Sequence, residues 1–152
     1  MTQDFVIDSP STPAELEEYF ELRWQVLRKF LTQPRGSERD EFDKPTATAF
    51  HVTVRNAPGQ LLGVGRVHFN SPAEAQIRYM AVVEESRGKG VGRALVAELE
   101  SLAHKHAAKQ IVLNAREAVV GFYQRLGYEI VGEGPTMFHD LKHVQMSKQL
   151  AK

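Results

Sequence analysis

The residues best able to do chemistry lie in a glycine-rich turn at positions 87–92, Arg-Gly-Lys-Gly-Val-Gly. Its glycines leave the backbone unobstructed, so successive N–H groups can point at an anion. A helix that starts there adds the positive end of its dipole. The charges of Arg87, Lys89 and Arg93 strengthen the same local field. This pattern predicts a site for a phosphate or pyrophosphate, and a solvated basic turn without a ligand is the alternative.

Two familiar nucleotide-binding motifs do not fit this turn. A nucleoside-triphosphate P-loop places serine or threonine after its lysine, whereas Gly90 follows Lys89. A dinucleotide fingerprint needs a third glycine or alanine where this chain has Arg93. The pattern that does fit is arginine at 87, glycine at 90 and glycine at 92.

That pattern resembles the signature of the GNAT family of N-acetyltransferases, which is glutamine or arginine, two residues, glycine, one residue, then glycine or alanine. The resemblance continues through residues 76–82 before the turn and 121–128 after it. Residues 143–146, His-Val-Gln-Met, are similar to the ElaA-type branch. The resemblance implies a GNAT-like fold with acetyl-CoA as cosubstrate. It also implies transfer of the acetyl group to a primary amine by direct attack in a ternary complex.

The resemblance also implies which residues hold coenzyme A. In this family the strand before the turn splays from its neighbour. Its exposed backbone pairs with the pantetheine arm, while the turn holds the pyrophosphate. The residues implied are Met80, Ala81, Val82, Arg87, Gly88, Lys89, Gly90, Val91 and Gly92. The amide of Val82 or of Met80 would also polarise the thioester carbonyl.

Tyr123 matches the family tyrosine that protonates the departing thiolate. A phenol with a pKa of about 10 can donate to a thiolate with a pKa of about 8.5 when the two are aligned. The alternative is a core aromatic beside Phe122 in a short amphipathic helix. No motif fixes the base that deprotonates the amine. His68 is the first candidate, with Glu117 and His139 behind it, and each could instead be a surface or satisfied group.

One position departs from the family pattern. Seven residues before the tyrosine, many members carry an asparagine that touches the cofactor, but this chain has Arg116 there and Asn114 two positions earlier. Arg116 could reach a phosphate or the pantetheine arm, or it could be solvated. Asn114 and Arg116 are therefore both candidate cofactor-binding residues.

Hydrophobic periodicity and breaker residues predict the elements that position these groups. We expect strands at 5–7, 49–56, 60–69, 75–83, 110–114, 128–133 and 143–148, and helices at 13–30, 91–106 and 118–126. Thr12, Pro13 and Glu15 form the start signal of the first helix. This order predicts an α/β fold, with a mixed sheet of about six to seven strands and helices on both faces.

Two of these helices show an apolar stripe at helical spacing, and we expect each stripe to pack on the sheet. The stripe of the first helix comprises Leu16, Phe20, Trp24 and Leu27. The basic residues among its polar positions are Arg23, Arg28 and Lys29. The stripe of the second helix comprises Val91, Leu95, Leu99 and Leu102.

A long loop is predicted at 32–48, which holds two prolines, one glycine and charges of both signs. Such a loop in a compact domain is often a lid or binding segment, and solvated irregular structure is the alternative. Glu38, Glu41 and Asp43 would suit a cationic acceptor, or they would be solvated loop charges. The acceptor stays open between a small amine, an amino acid and a protein amino group.

The composition limits the classes of function and partner. The 152 residues fit one domain, residues 1–152, and the equal count of 19 basic and 19 acidic residues argues against a nucleic-acid partner. The absence of cysteine from the sequence excludes disulfides, thiolate metal ligands and an acyl-cysteine intermediate, and no histidine pair has metal-site context. No segment approaches the ~20 apolar residues of a membrane span. We expect a cytoplasmic protein without a membrane or metal partner, and the family implies a monomer or homodimer.

Three functions are compatible with these features. The first is the N-acetyltransferase, with Tyr123 as its acid. The second is a non-catalytic domain that binds or senses acyl-CoA through the same turn, against which Tyr123 argues. The third is an interaction module, whose melting temperature would not rise with CoA.

Overall fold

Seven strands form one mixed sheet in the computed structural model, which describes residues 4–150. The strands are β1 (Val6–Asp8), β2 (Ala49–Arg55), β3 (Leu61–Ser71), β4 (Glu74–Val82), β5 (Gln110–Arg116), β6 (Glu129–Met137) and β7 (Leu141–Gln149). Their order across the sheet is β1-β2-β3-β4-β5-β7-β6. The predicted α/β fold with a mixed sheet is confirmed.

Helices cover both faces of this sheet, as the sequence predicts. In the described part of the chain they are α1 (Pro13–Leu27), α2 (Val91–Lys105) and α3 (Val120–Arg125). Short 3-10 turns cover Lys29–Leu31, Glu41–Asp43, Glu84–Ser86 and Glu117–Val119. α2 shares one apolar cluster with Tyr123 of α3, whereas α1 packs in a second cluster with Val64 and Ala81. Between residues 4 and 150, no helix is long and apolar enough to cross a bilayer.

Helix α2 approaches the sheet closely because β3 carries glycines beneath it. A Cβ atom on Gly63 would lie 2.7 Å from Val91 Cγ1, and one on Gly65 would lie 3.0 Å from Leu99 Cδ1. Both contacts are tighter than side chains normally tolerate in a packed interior. The predicted stripe of α2 is confirmed at Val91, Leu95 and Leu99, which are almost completely buried.

Helix α1 starts as predicted, but the face that it buries matches the predicted stripe only in part. Thr12 Oγ1 accepts a hydrogen bond from the Glu15 N–H, and a Glu15 carboxylate oxygen accepts one from the Thr12 N–H, each at 3.1 Å. The predicted stripe is confirmed at Phe20, which is buried, and at Leu27, which packs on the same cluster, but it is wrong at Leu16, which is exposed. Arg23 and Arg28, expected among the polar positions, are buried. The following loop folds over this helix and supplies a carboxylate and a carbonyl to Arg23 but only a carbonyl to Arg28.

Most predicted boundaries differ from the observed ones by a few residues. α1 ends at Leu27, three residues early, because the chain tightens into a 3-10 turn. The largest difference is β6, which continues to Met137 instead of ending at 133. Its glycines and proline usually interrupt strands, and two register shifts against β7 accommodate them.

Strands β4 and β5, the only parallel neighbours in the described sheet, separate partway along their length. Their pairing ends at Ile77 and Leu113, after which β4 continues to Val82 and β5 to Arg116. The gap between these unpaired ends is the strand opening. The splayed strand implied by the family resemblance is therefore present.

A β-bulge in β4 lies where the strand opening begins. The pairing of β4 with β3 jumps between Arg78 and Ala81, so Tyr79 and Met80 together stand opposite the single residue Gly65. Tyr79 has a positive φ of 60°, which a bulge can hold. Because of the extra residue, Arg78 and Tyr79 share the α1 face, with the guanidinium carbon 4.4 Å from the ring centre.

Candidate active site

The strand opening presents backbone groups of β4 that neither flanking strand uses. The Val83 N–H donates to the Leu62 carbonyl at 2.9 Å, so these residues bond across the β3–β4 ladder. Alternate residues of an antiparallel pair point their N–H and C=O away from the partner, which turns those of Val82 toward the opening. Val82 can therefore bind an extended ligand as an added strand would.

Met80 and Ala81 contribute apolar side chains to the same strand. Ala81 is buried in the cluster under α1. Met80 points to the opposite face, where its sulfur would lie 2.9 Å from a Cβ atom on Gly65. The alternation that turns the backbone groups of Val82 toward the opening turns those of Ala81 toward Val64 of β3.

The glycine turn at 87–92 is an exposed helix start. Gly88 and Gly90 have φ values of 77° and 92°, which glycine adopts without strain. Gly90 is the N-cap of α2, and within the described chain no side chain caps this helix. Its first internal hydrogen bond runs from the Ala94 N–H to the Gly90 carbonyl at 3.0 Å. The N–H groups of the first helical turn are therefore available to an anion.

The other residues of the glycine turn divide between charge and packing. Arg87 and Lys89 are exposed, and Val91 is buried against the sheet. A Cβ atom on Gly92 would lie 3.0 Å from Phe122 Cζ. Gly92 therefore also lets α3 pack against the start of α2, a role that the motif alone does not reveal.

Tyr123 is buried in the core beneath α2, only 6% exposed. Its ring packs edge-on against Phe122 at 5.0 Å and Tyr128 at 5.7 Å. Burial raises the pKa of Tyr123, which keeps the phenol protonated at neutral pH. Its hydroxyl makes no hydrogen bond to residues 4–150, whereas the Tyr128 hydroxyl donates to Glu100 at 2.8 Å. The Tyr123 proton is therefore not committed to another side chain of the described chain.

His68 lies in a buried, polar part of the α1 face. The ring stacks on Phe42 with centres 4.0 Å apart, and its Nδ1 lies 3.0 Å from Arg66 Nη2. Burial, with the adjacent Arg66 charge, lowers the pKa of His68 to about 4. Because the guanidinium donates to Nδ1, the proton of the neutral ring is on Nε2. This geometry favours a structural role for His68 over that of a base.

The remaining candidates lie in solvent or reach the α1 face. Glu117, His139 and Asn114 are exposed, and His139 has a positive φ of 75° in the turn between β6 and β7. Arg116 Nη2 donates to the Leu27 carbonyl at 3.2 Å. Arg116 therefore connects the β5 side of the strand opening to the end of α1.

A buried charge cluster fixes the loop after α1 onto the sheet. Arg23 and Arg66, both fully buried, bind Asp43 at 3.0 and 3.1 Å. Asp40 binds Arg66 at 3.0 Å and Arg78 at 2.8 Å. Burial alone would raise the pKa of Asp40, but the hydrogen bond and charge of Arg66 outweigh it and lower that pKa to about 2. The carboxylates of this cluster are therefore committed to arginines of the fold.

This cluster corrects the expectation for the acidic loop residues. Glu41 is exposed, as a solvated loop charge would be. Glu38 is 2% exposed, and its carboxylate accepts from the Gly36 N–H at 2.7 Å and from Arg39 at 2.9 Å. Asp43 is likewise neither solvated nor free to bind a cationic acceptor, since two arginines occupy it.

No motif singles out Arg28 or Tyr79, yet both lie beside the strand opening. Arg28 is 5% exposed and Tyr79 is 7% exposed, with the guanidinium carbon 5.6 Å from the ring centre. The one available signal is that Tyr79 directly precedes the residues expected to pair with pantetheine. The position of Arg28 depends on where α1 ends, and the hydrophobic periodicity of the sequence does not determine that residue.

Comparisons with known proteins support the assignment of these motifs. The family model described as the Acetyltransferase (GNAT) domain matches residues 15–150. The uncharacterized N-acetyltransferase YjcF of Bacillus subtilis (strain 168) is 27% identical over 134 residues, covering 88% of this chain and 92% of the relative.

Two solved structures illustrate the shared fold. Escherichia coli ElaA matches with a TM-score of 0.78 at 24% identity, covering 95% of this chain and 99% of that one. An aminoglycoside 6'-N-acetyltransferase complexed with coenzyme A matches with a TM-score of 0.81 at 16% identity, covering 97% and 98%. At these identities the likeness establishes the fold alone, so membership of the ElaA branch stays a prediction.

Proposed function

This chain belongs to the GNAT acetyltransferase family, and from that premise we propose that it transfers the acetyl group of acetyl-CoA to a primary amine. The observation that carries the proposal is the continuity of two binding features. The free edge of β4 at Val82 runs through the Glu84–Ser86 turn directly into the uncapped start of α2. A pantetheine arm and a pyrophosphate need these two features in that order.

The cosubstrate is held mainly by main-chain groups in this proposal. Residues 80–82 pair with the pantetheine arm, and residues 87–92 bind the pyrophosphate through N–H groups, with Arg87 and Lys89 adding charge. The coenzyme A complex of the aminoglycoside acetyltransferase, a structural neighbour, supports this assignment. Asn114 stays a candidate for a further contact. Arg116, whose Nη2 donates to the end of α1, takes the role developed in the next subsection.

The chemistry assigns one proton transfer to Tyr123. Acetyl-CoA supplies the thioester, and the amine nitrogen attacks its carbonyl carbon while the Val82 N–H donates to the carbonyl oxygen. As the C–S bond breaks, the Tyr123 hydroxyl donates its proton to the sulfur. Transfer is direct, because the sequence has no cysteine to form an acyl-enzyme.

The amine must lose its proton before or during attack. The pKa of about 4 makes His68 a weak base, and its Nδ1 is occupied by Arg66. We therefore rank His68 below exposed Glu117 and His139, or a water that either of them orients. A single domain over residues 1–152, a cytoplasmic location and a monomeric or homodimeric state complete the proposal.

Two measurements on the intact protein test this function. Calorimetric titration with coenzyme A should show binding, and single-turnover assays with acetyl-CoA across an amine panel should release free thiol. Binding without thiol release for any amine would favour the acyl-CoA sensor. Absence of binding, together with a melting temperature that CoA does not change, would favour the interaction module.

A further inference from the structure

Two arginines meet over the strand opening on the α1 face. Arg28 Nη1 and Arg116 Nη2 both donate to the carbonyl oxygen of Leu27, each at 3.2 Å. Arg28 Nη1 and Arg116 Nη2 therefore lie within twice 3.2 Å of each other. These residues, the arginine pair, come from the end of α1 and the end of β5, so the fold brings together two cations that are distant in sequence.

The arginine pair lacks the partners that the other arginines of this face have. Arg23, Arg66 and Arg78 bind Asp40 or Asp43, but neither member of the pair forms an ion pair within residues 4–150. Their observed acceptors are backbone carbonyls, those of Leu27 and Ser37. Buried arginines almost always have an anionic partner, so Arg28, which is buried, is an exception, and the half-buried Arg116 places a second cation beside it.

Burial and mutual repulsion make the charges of Arg28 and Arg116 unfavourable in the protein without a ligand. Arg28 is 5% exposed, and burial, together with the charge of Arg78, lowers its pKa. Burial, followed by the charge of Arg28, lowers the pKa of Arg116. Each shift has the direction expected of a cation that is desolvated beside another cation. An oxyanion that accepts from the other N–H groups of both guanidinium groups would relieve both effects.

The position of the pair connects it to the transfer reaction. Arg28 lies 5.6 Å from the Tyr79 ring centre and 5.0 Å from that of Phe138, and Arg116 lies 5.2 Å from that of Phe30. Tyr79 is on β4 just beyond the point where β4 and β5 separate. The pair and these aromatic rings thus border the opening on the α1 face, while the helix start that would hold pyrophosphate belongs to α2 on the other face.

We propose that Arg28 and Arg116 bind an oxyanion group, carboxylate or phosphate, on the acceptor amine. This inference rests on the proposed acetyltransferase function and names its substrate class: a small amine that carries an anionic group and an organic body able to pack on aromatic rings. It replaces the cationic acceptor suggested by the acidic loop residues, because Asp40 and Asp43 are already bound to arginines.

The first experiment compares matched amines that differ only in the anionic group. Phenylalanine and phenylalaninamide, which have a body able to pack on aromatic rings, form a carboxylate pair. Aminoethyl phosphate and ethanolamine form a phosphate pair, and spermidine represents cationic acceptors. Thiol release from acetyl-CoA should give a kcat/KM at least 10-fold higher for the anionic member of one pair. Equal values within both pairs, or a maximum with spermidine, would overturn the proposal while leaving the transferase function intact.

Variants then test the assignment to these two residues. Arg116→Gln and Arg28→Gln should raise KM for the anionic amine at least 10-fold and abolish the preference within the pair, and Arg116→Lys should restore part of it. The dissociation constant for coenzyme A should not change. The matched control is Arg125→Gln, an exposed arginine of α3. If Arg116→Gln instead weakens coenzyme A binding and leaves KM for the amine unchanged, the arginine belongs to the cosubstrate site and the proposal fails.

A binding measurement separates this proposal from the proposed function. The protein saturated with coenzyme A is titrated with each amine by calorimetry. One outcome is that the protein binds the anionic amines, that Arg116→Gln abolishes this binding, and that no amine releases thiol. This outcome would support the anion site and reject the transferase function. Absence of binding and of turnover for every amine would reject both. Melting temperatures of the variants show whether each is folded. If Arg28→Gln does not fold, Arg116→Gln tests the proposal, because Arg116 is partly exposed.

Discussion

At the scale of single residues, hydrogen bonding distinguishes two neighbouring buried tyrosines. Tyr123 and Tyr128 belong to the same cluster, but only the Tyr128 hydroxyl has a partner, Glu100. The raised pKa of Tyr123 keeps the phenol protonated, so that its proton is present when a thiolate departs beside it. A buried phenol without a partner in the described chain is a cost to folding that a proton-donating role would explain.

Replacement of Tyr123 by phenylalanine removes the hydroxyl proton and keeps the aromatic ring. We expect Tyr123→Phe to lower kcat by about 100-fold or more, since general acids typically contribute at least that much. Affinity for coenzyme A and the melting temperature should stay near normal, because the ring still fills its place. Tyr128→Phe is the matched control and should keep its turnover. Unchanged kcat in Tyr123→Phe would remove this residue from the acid role.

Gly90 tests the anion-binding turn at the same scale. Valine there would combine a positive φ of 92° with a β-branched side chain at the helix start, so we expect Gly90→Val to weaken coenzyme A binding at least 10-fold. Gly36→Val is the control, because Gly36 has a φ of 102° in the 32–48 loop, outside the glycine turn, and a Cβ atom there would meet nothing within 4 Å. Calorimetric titration of both variants gives the comparison. Equal losses of affinity would show that general strain, and not the binding site, is responsible.

At the scale of elements, local signals in the sequence predict most of the scaffold. The capping box at Thr12, the stripe of α2 and the end of α3 at Gly127 were all predicted, because each depends on residues within a few positions of one another. The bulge at Tyr79 and the long β6 strand were not. Both depend on pairing with a neighbouring strand. That pairing overrides the preference of a bulky residue such as Tyr79 for a negative φ, and the tendency of glycine and proline to interrupt a strand.

The buried face of α1 was predicted only in part, at Phe20 and Leu27, for a related reason. A stripe of apolar residues is a sound guide when the covering element is apolar. Here the covering loop carries Asp40 and Asp43, so arginines are the side chains that it buries. A sequence pattern cannot show which charges will meet, because the partners are separated by 20 residues for Arg23 and 26 for Arg66.

The charge cluster should hold this loop in place, and Asp43 is its most buried carboxylate. Asp43→Asn keeps the volume but leaves Arg23 and Arg66 buried with less compensation, so we expect the free energy of unfolding to fall by about 3–5 kcal/mol. Urea denaturation measures the change. The control is Glu41→Gln in the same 3-10 turn, where the side chain is exposed and a change within about 0.5 kcal/mol is expected. A similar loss in both variants would contradict a specific role for the cluster.

At the scale of the whole molecule, a net charge of zero conceals an uneven distribution. The sequence count gave no reason to expect a charged partner surface. The fold nevertheless separates Arg23, Arg66 and Arg78, which bind loop carboxylates, from Arg28 and Arg116, which form no ion pair within residues 4–150. The acceptor class therefore depends on tertiary contacts. Motifs and their spacing were enough for the family, which is determined by the glycine turn and the segments that flank it.

Histidines in the interior add a pH dependence to the stability of the whole protein. Burial, then the charge of Arg23, lowers the pKa of His51 to about 4, although Asp43 opposes the shift. His68 reaches a similar value because of burial and Arg66. In the unfolded chain both titrate near 6.5, so between pH 6.5 and pH 4 the unfolded state binds protons that the folded state does not. Stability is therefore complete above about pH 6.5 and falls as the pH is lowered.

The predicted loss is up to about 1.4 kcal/mol per pH unit for each buried histidine. Urea denaturation of the intact protein at about pH 7.5, above that window, and at about pH 6.0, 5.0 and 4.5, within it, gives the slope. His51→Gln should reduce the slope of the free energy of unfolding against pH by the contribution of one histidine, whatever the variant's stability at pH 7.5. His104→Gln removes an exposed histidine of α2 and should leave the slope as it is. If His51→Gln and the parent protein lose stability in parallel down to pH 4.5, His51 is not held neutral by the fold.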